Sequence, residues 1–366
     1  MTDEDHMRAA LALARRGLGQ TAPNPSVGCV VTQQGRIVGR GFTSPGGRPH
    51  AEVNALAMAA GQARGATAYV TLEPCSFTGK SGPCTQALIK AGISRVVVGT
   101  RDPHPNVNGL GVAQLRAAGL SVTEGVLQTE CMEMIAGFAR VQQAKRPLLQ
   151  LKLASSLDGR IATSDGESKW ITSELARRAV HMMRAQHDAV MVGVGTVLAD
   201  DPDLTCRLDG VRTTPLVRIV VDSHLRTPLL SRLVVGAAEN PVWILHRNGA
   251  DKLRCQALVS VGVHLIELPA SSVGIDLQVG MRLLAERGLT SVLAEGGGTL
   301  AAGLLRADLV DRLAWFHAPC VVGGDGFPAA QAFGVKVLSQ MPRFTPISSC
   351  RLGVDMLSHF TRVLPC

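Results

Sequence analysis

Three residues, His50, Cys75 and Cys84, constrain this chain more than any other feature. One imidazole and two thiolates suit zinc. Three protein ligands leave a fourth tetrahedral position for water, the pattern of a catalytic rather than a structural site. Any fold that uses them must bring together Pro49-His50-Ala51-Glu52, Glu73-Pro74-Cys75 and Pro83-Cys84. A structural zinc would need a fourth Cys or His close by, and Ser76 to Pro83 offers none. Glu52 lies two residues past His50 and need not bind metal. A carboxylate there can take a proton from a metal-activated water and pass it on.

The order H-x-E…P-C is similar to that of zinc deaminases, which replace a ring amino group with oxygen. Their short form is P-C-x-x-C, whereas eight residues separate Cys75 from Cys84. That insertion must loop over the site and is expected to touch substrate. Both His50 and Cys84 are placed to open helices, where the dipole and free N–H groups favour thiolate.

With 366 residues the chain can form two domains of ordinary size, and 46% hydrophobic residues can fill their cores. Aromatics are only 3%, so stacking platforms for single-stranded nucleic acid are scarce. The net charge is +8 without a long basic run, and residues 1–145 hold +5 of it, from 14 basic and 9 acidic side chains. This favours a phosphate-bearing small molecule over a nucleic-acid groove. The nine cysteines show no disulfide-like spacing, the N-terminus lacks a signal peptide, and no stretch is apolar enough to span a membrane. The expectation is a cytoplasmic protein with reduced thiols and no membrane or nucleic-acid partner. Nothing in the pattern fixes its oligomeric state, and a homo-oligomer remains compatible with it.

Thr2-x-x-Asp5 predicts a capped helix carrying Met7, Ala10, Leu11, Ala14 and Leu18 on one face. Residues 27–32 and 36–42 predict a hairpin closed by Gln33-Gln34-Gly35, with Asn24 at its mouth. The Asn24 amide can bond a heterocycle's edge, or serve only as a turn residue between two prolines. A helix from His50 to about Ala63, a strand over 67–72, a helix from Cys84 to Ala91 and a strand over 95–99 follow. Helices over 109–118 and 128–144 complete a three-layer α/β domain. Lys145-Arg146-Pro147 marks the boundary, giving domains 1–145 and 146–366. The second half carries strands over 148–154, 189–192, 216–221, 242–245, 263–267, 291–294 and 313–316. Helices over 173–186, 275–287 and 299–306 lie between them, so it is a second α/β domain.

Glu295-Gly296-Gly297-Gly298-Thr299 follows an apolar strand and opens a helix, which lets backbone approach a phosphate. Gly193-Val194-Gly195-Thr196 and Asp222-Ser223 end two further strands. Three such strand ends suit a nucleotide-like cofactor at the carboxyl edge of a sheet, although each alone reads as a structural turn. Lys152, on a buried-type strand, needs a partner or a task.

These stretches together resemble the bifunctional riboflavin-biosynthesis deaminase–reductase family. The resemblance runs in one colinear order through Asn24-Pro25-x-Val27-Gly28, Pro49-His50-Ala51-Glu52-Val53 and Thr71-Leu72-Glu73-Pro74-Cys75-Ser76. It continues through residues 152–160, 168–172, 196–202 and the Glu295 turn. It implies a cytidine-deaminase-like N-terminal domain and a dihydrofolate-reductase-like C-terminal domain. One Zn2+ would be held by His50, Cys75 and Cys84, with Glu52 catalytic. NADPH would contact Ala154, Trp170, Thr196, Asp200, Ser223 and Gly297, Gly298, Thr299, Leu300, Ala301, Ala302 and Gly303. A phosphoribosylated aminopyrimidine would contact Asn24 and Lys80 in the first domain. In the second it would contact Lys152, Ser168, Arg184, Leu204, Arg207 and Glu295. It would be deaminated first, and its ribosyl group then reduced to ribityl. Two departures stand out: Phe77 and Thr43 occupy positions where the family shows histidines expected near the deaminase substrate. Two alternatives compete. One is an RNA or nucleoside deaminase with a non-catalytic second domain, and the other is a non-enzymatic zinc-stabilised module.

Overall fold

The computed structural model describes every residue except Lys80, Asn106, Ser272, Val273 and 364–366. It divides into two compact units, Met1–Lys145 and Arg146–Cys366.

The first unit is built on a five-stranded sheet. Its strands are β1 (Gly28–Gln33), β2 (Arg36–Phe42), β3 (Thr67–Leu72), β4 (Arg95–Thr100) and β5 (Ser121–Glu124), in the order β2-β1-β3-β4-β5. β1 pairs antiparallel with β2 and β3, whereas β3, β4 and β5 run parallel. Both faces of the sheet are covered. Val96 and Val98 join the larger core and Val97 the smaller one, so β4 reads as a continuous apolar run. The helices are α1 (Asp3–Ala14), α2 (Ala51–Ala59), α3 (Cys84–Lys90), α4 (Leu110–Ala117), α5 (Gln128–Met134) and α6 (Ala136–Ala144). The Thr2 capping box forms, with Thr2 Oγ1 accepting from Asp5 N and an Asp5 oxygen accepting from Thr2 N.

The single helix expected over 128–144 is in fact two. Ile135 leaves helical dihedrals at φ −104, ψ 15, and its side chain is buried in the larger core, while Cys131 faces the smaller one. The break lets one amphipathic stretch serve two cores.

A close approach sets the height of α2. A Cβ on Gly41 would lie 2.2 Å from the carbonyl oxygen of Ala51, so only glycine lets β2 pack so tightly on the helix that carries Glu52.

The second unit holds a nine-stranded sheet. From one edge its strands are His264–Leu268, Val242–Arg247, Val217–Val221, Ala189–Gly193, Ser291–Ala294, Leu148–Ser155 and Arg312–His317, followed by Asp355–Arg362 and Phe344–Leu352. The first seven run parallel, and the last two add antiparallel. The final hairpin goes beyond the strands expected from sequence. Its outer strand is nearly all exposed and includes Pro346 and Ser348-Ser349, so it lacks the buried pattern that marks a strand. The Gly193 segment is the start of a helix, Val194–Asp200, rather than a free turn.

Candidate active sites

In the first unit, three helix or strand ends meet. His50 is the N-cap of α2, Cys75 follows β3 after Glu73-Pro74, and Cys84 is the first residue of α3. One donor atom from each lies within 4.8 Å of the others. His50 Nδ1 is 3.3 Å from Cys84 Sγ and 3.7 Å from Cys75 Sγ. Zinc bonds of about 2.0 Å to nitrogen and 2.3 Å to sulfur, at a tetrahedral angle, put nitrogen and sulfur about 3.5 Å apart. The donor set therefore fits one zinc ion, and among the described residues no fourth Cys, His or carboxylate joins the group.

The electrostatics favour metal-ready thiolate. The Cys75 pKa is held down to about 4, chiefly by its hydrogen bond with Cys84, with further help from His50 and from the Cys84 N–H, 3.3 Å away. The same shared proton, together with burial, pushes Cys84 up, and that proton must leave when metal binds. The hydrogen bond to Cys75 raises His50 against the opposing effect of burial. Glu52, in the first turn of α2, is 4% exposed. Burial first, and the Cys75 charge second, push its pKa up to about 7, where a group can both accept and donate a proton near neutrality.

Glu73 stands two residues before the ligand Cys75, and the structure gives it a positioning role. Its carboxylate accepts from the backbone N–H groups of Asp102 (3.2 Å), Gly109 (2.9 Å) and Val112 (3.1 Å). It thereby ties the loop after β4 to the Cys75 loop. A Cβ on Gly111 would meet the Pro74 carbonyl oxygen at 2.1 Å, so the start of α4 packs directly on the ligand loop.

Asn24 donates from Nδ2 to the Gly47 carbonyl at 2.8 Å, which ties the segment before β1 to the loop before His50. Lys80 lies outside the described residues. Thr43 is buried, and its hydroxyl accepts from Val27 N at 3.0 Å, so this side chain ties the end of β2 to the segment before β1. Phe77 stacks on His104, with ring centroids 6.0 Å apart.

In the second unit, a cleft of about 1730 Å³ opens along the carboxyl ends of the central parallel strands. Lys152, Ser168, Arg184, Leu204, Arg207 and Glu295 all line it. So do Ala154, Trp170, Thr196, Asp200, Ser223, Gly297, Thr299, Leu300, Ala302 and Gly303. Two residues assigned to the cofactor do not line it. A Cβ on Gly298 would lie 2.5 Å from the Pro328 carbonyl, so this glycine serves helix packing, and Ala301 is wholly buried in the core. Gly297 is the N-cap of the helix Gly298–Arg306, whose free N–H groups can meet a phosphate.

The cleft is organised by charge. Arg184 clamps Glu295 with two bonds, Nε to Oε1 at 2.6 Å and Nη2 to Oε2 at 3.0 Å, and its Nη1 donates to the Thr205 carbonyl at 3.0 Å. Glu295 is held below its ordinary value by Arg184, against burial, and Lys152 adds to the effect. Lys152 makes no hydrogen bond or ion pair among the described residues, and its Nζ lies 5.7 Å from the Phe316 ring centroid. Burial lowers its pKa, the Glu295 charge works against that, and Arg184 adds to it. Trp170 is 71% exposed and packs under the Arg177 guanidinium, 4.4 Å from the ring centroid. His181 hydrogen-bonds Arg207 at 3.3 Å and also lines the cleft. Sequence reading passed over it, although it stands three residues before Arg184 on one helix face.

Residues 147–358 match the model of the RibD C-terminal domain, and residues 1–100 match the cytidine and deoxycytidylate deaminase zinc-binding region. Riboflavin biosynthesis protein RibD of Escherichia coli is 41% identical over 370 residues, covering 98% of this chain and 99% of that protein. The chain belongs to the RibD family. A RibD structure from Acinetobacter baumannii superposes with a TM-score of 0.89 at 35% identity, covering 99% of each chain. The diaminohydroxyphosphoribosylaminopyrimidine deaminase/5-amino-6-(5-phosphoribosylamino)uracil reductase of Thermotoga maritima superposes at 0.85 and 36% identity, again over 99% of each. As a member of this family, the chain is a bifunctional enzyme of riboflavin biosynthesis, a zinc-dependent deaminase and an NADPH-dependent reductase. The match across the second unit runs against the alternative of a non-catalytic second domain. Among the described residues no helix is long and apolar enough to cross a membrane.

Proposed function

We propose that the first unit hydrolytically deaminates a diamino-hydroxy-phosphoribosylaminopyrimidine and that the second then reduces its ribosyl group to ribityl. The convergence of His50, Cys75 and Cys84 beside a buried Glu52 carries the first half of this reading. Zinc, when bound by these three residues, lowers the pKa of a coordinated water and so supplies a nucleophile at neutral pH. Glu52 takes the proton released at that point and delivers it to the departing ring amine. Its burial keeps the carboxyl poised to do both. Water enters, ammonia leaves, and the ring carbon exchanges NH for O.

In the second unit NADPH, when bound, supplies the hydride. The Gly297 end of the helix would take its phosphate, with Thr196 and Ser223 on neighbouring strand ends. Lys152 would hydrogen-bond the ribosyl oxygen or the pyrimidine carbonyl, and with no hydrogen-bond or ion-pair partner among the described residues its donors are left for substrate. Arg184 fixes the Glu295 carboxylate so that it can hold an amine or hydroxyl of the same substrate. Ser168, Leu204 and Arg207 would complete the substrate wall. Asn24 and Lys80 belong to the deaminase half of the reading, with Asn24 shaping the loop before His50.

The substrate is a free small molecule rather than nucleic acid, consistent with 3% aromatic residues, and the setting is the cytoplasm, consistent with cysteines that are all free among the described residues. Incubation of the pure protein with the phosphoribosylaminopyrimidine tests both steps by mass. The NH-for-O gain is expected without NADPH, and the further gain of two hydrogens only with it. A product reduced without prior deamination would overturn the order.

A further inference from the structure

Arg48 belongs to neither the zinc donor set nor the proton carrier, yet it stands two residues ahead of His50. It is half-buried. Its Nη1 donates to Ser81 Oγ, so the side chain crosses from the loop leading into α2 to the loop leading into α3. A side chain at Gly79 would begin 3.7 Å from Arg48 Nη2 and 3.5 Å from the Phe77 ring, so Arg48 and Phe77 flank one spot that glycine leaves open. No carboxylate pairs with Arg48 among the described residues. A partly desolvated guanidinium held only by a neutral hydroxyl is an electrostatic invitation to an anion. Neither Thr43, spent on Val27, nor Phe77 can supply a cation, and Lys80 of the same loop lies outside the described residues, so Arg48 is the described cation at this gap.

We propose that Arg48 binds the phosphate of the deaminase substrate and sets the preference of the first unit for phosphorylated over dephosphorylated pyrimidine. The inference rests on the deaminase reading above. The planar guanidinium can offer a phosphate two parallel donors while the rest of the side chain keeps its bond to Ser81. The reacting ring then lies toward His50 and Glu52, and the phosphate toward the gap between the two ligand loops.

The test is steady-state deamination by the full-length zinc-loaded enzyme and by Arg48→Ala and Arg48→Gln, on the phosphoribosyl substrate and on its dephosphorylated counterpart. Loss of one charge-assisted contact should raise KM for the phosphorylated substrate about 10- to 100-fold. KM for the dephosphorylated substrate, zinc content and NADPH-dependent reduction should stay at wild-type values. Unchanged KM for the phosphorylated substrate, or an equal rise for both, overturns the assignment while leaving the deaminase reading intact. Should Arg48→Ala lose zinc, Arg48→Gln, which keeps a donor for Ser81, decides. Zinc loss in both makes Arg48 a structural tie and the proposal wrong. Absence of any wild-type deamination would instead remove the functional reading and this inference with it.

Discussion

The two sites solve opposite problems. The zinc site is compact: three donor atoms within 4.8 Å and one buried carboxylate, all delivered by helix and strand ends within a short span of chain. The reductase cleft is a space of about 1730 Å³ whose lining comes from many strand ends between Lys152 and Ala332. A metal demands particular atoms at particular distances, so residue type carries almost the whole signal. A dinucleotide cleft demands shape, backbone N–H groups and a few oriented charges, so most of its lining can be any small residue. The contrast extends to electrostatics. Glu52 is raised by burial and a neighbouring thiolate, whereas Glu295 is lowered because Arg184 grips it with two bonds. The first is poised to move a proton, and the second is locked as a charge.

The contrast is sharpest at Glu52. Glu52→Gln should keep zinc and fold but lower deamination by about 10²–10⁴-fold or more, because the amide cannot shuttle a proton. Reduction of pre-deaminated substrate should persist. Deamination within a few-fold of wild type, measured by ammonia release, would remove Glu52 from its role.

Cys75→Ser and Cys84→Ser address the donor set. Each should bring zinc content, read by elemental analysis, toward zero, since a hydroxyl is a poor substitute for thiolate. Reductase activity should remain, because the described residues that line its cleft belong to the second unit. Full zinc occupancy in either variant would show that its cysteine is not a ligand.

The cleft yields smaller, divided effects. Lys152→Ala should slow single-turnover reduction more than it weakens NADPH binding. Gly297→Val should do the reverse by crowding the helix N-terminus, where the space beside Gly297 is open toward Thr196. Equal loss of both quantities in both variants would collapse the distinction between substrate and cofactor ends of the cleft.

The smallest expected effect is on stability. Burial lowers the native pKa of Lys152 below its usual 10.5, so between that depressed value and 10.5 the unfolded chain binds more protons than the native one. Stability therefore rises with pH across that window. Lys152→Met removes the buried charge and should flatten the slope, which denaturant titrations at mildly and strongly alkaline pH would read. An unchanged slope would mean that Lys152 is not a source of strain.

What sequence could reveal follows the same division. β3, β2 and the strand Ser291–Ala294 were legible because an apolar run or alternation ends at Gly or a charged turn. The final hairpin was not, because an exposed edge strand with Pro346 carries no buried pattern. The zinc ligands and Glu52 were readable one by one. The positioning role of Glu73 was not, since its three backbone partners lie 29 to 39 residues away in sequence. Gly298 and Ala301 stand in the same glycine turn as Gly297 but do not line the cleft, because the 3.6-residue turn of the helix points a Cβ on Gly298 at Pro328 and buries Ala301 in the core. The Thr43 departure looked like a change in the substrate pocket and is a buried backbone tie.

The central claim is that two units of one chain carry two separable reactions in sequence. Mixing Glu52→Gln with Lys152→Ala, each impaired in a different step, tests it directly. With the phosphoribosylaminopyrimidine and NADPH, each variant alone should form the deaminated and reduced product slowly, and the mixture should form it faster than either, identified by mass. A mixture that yields no more of that product than the better single variant would contradict the account.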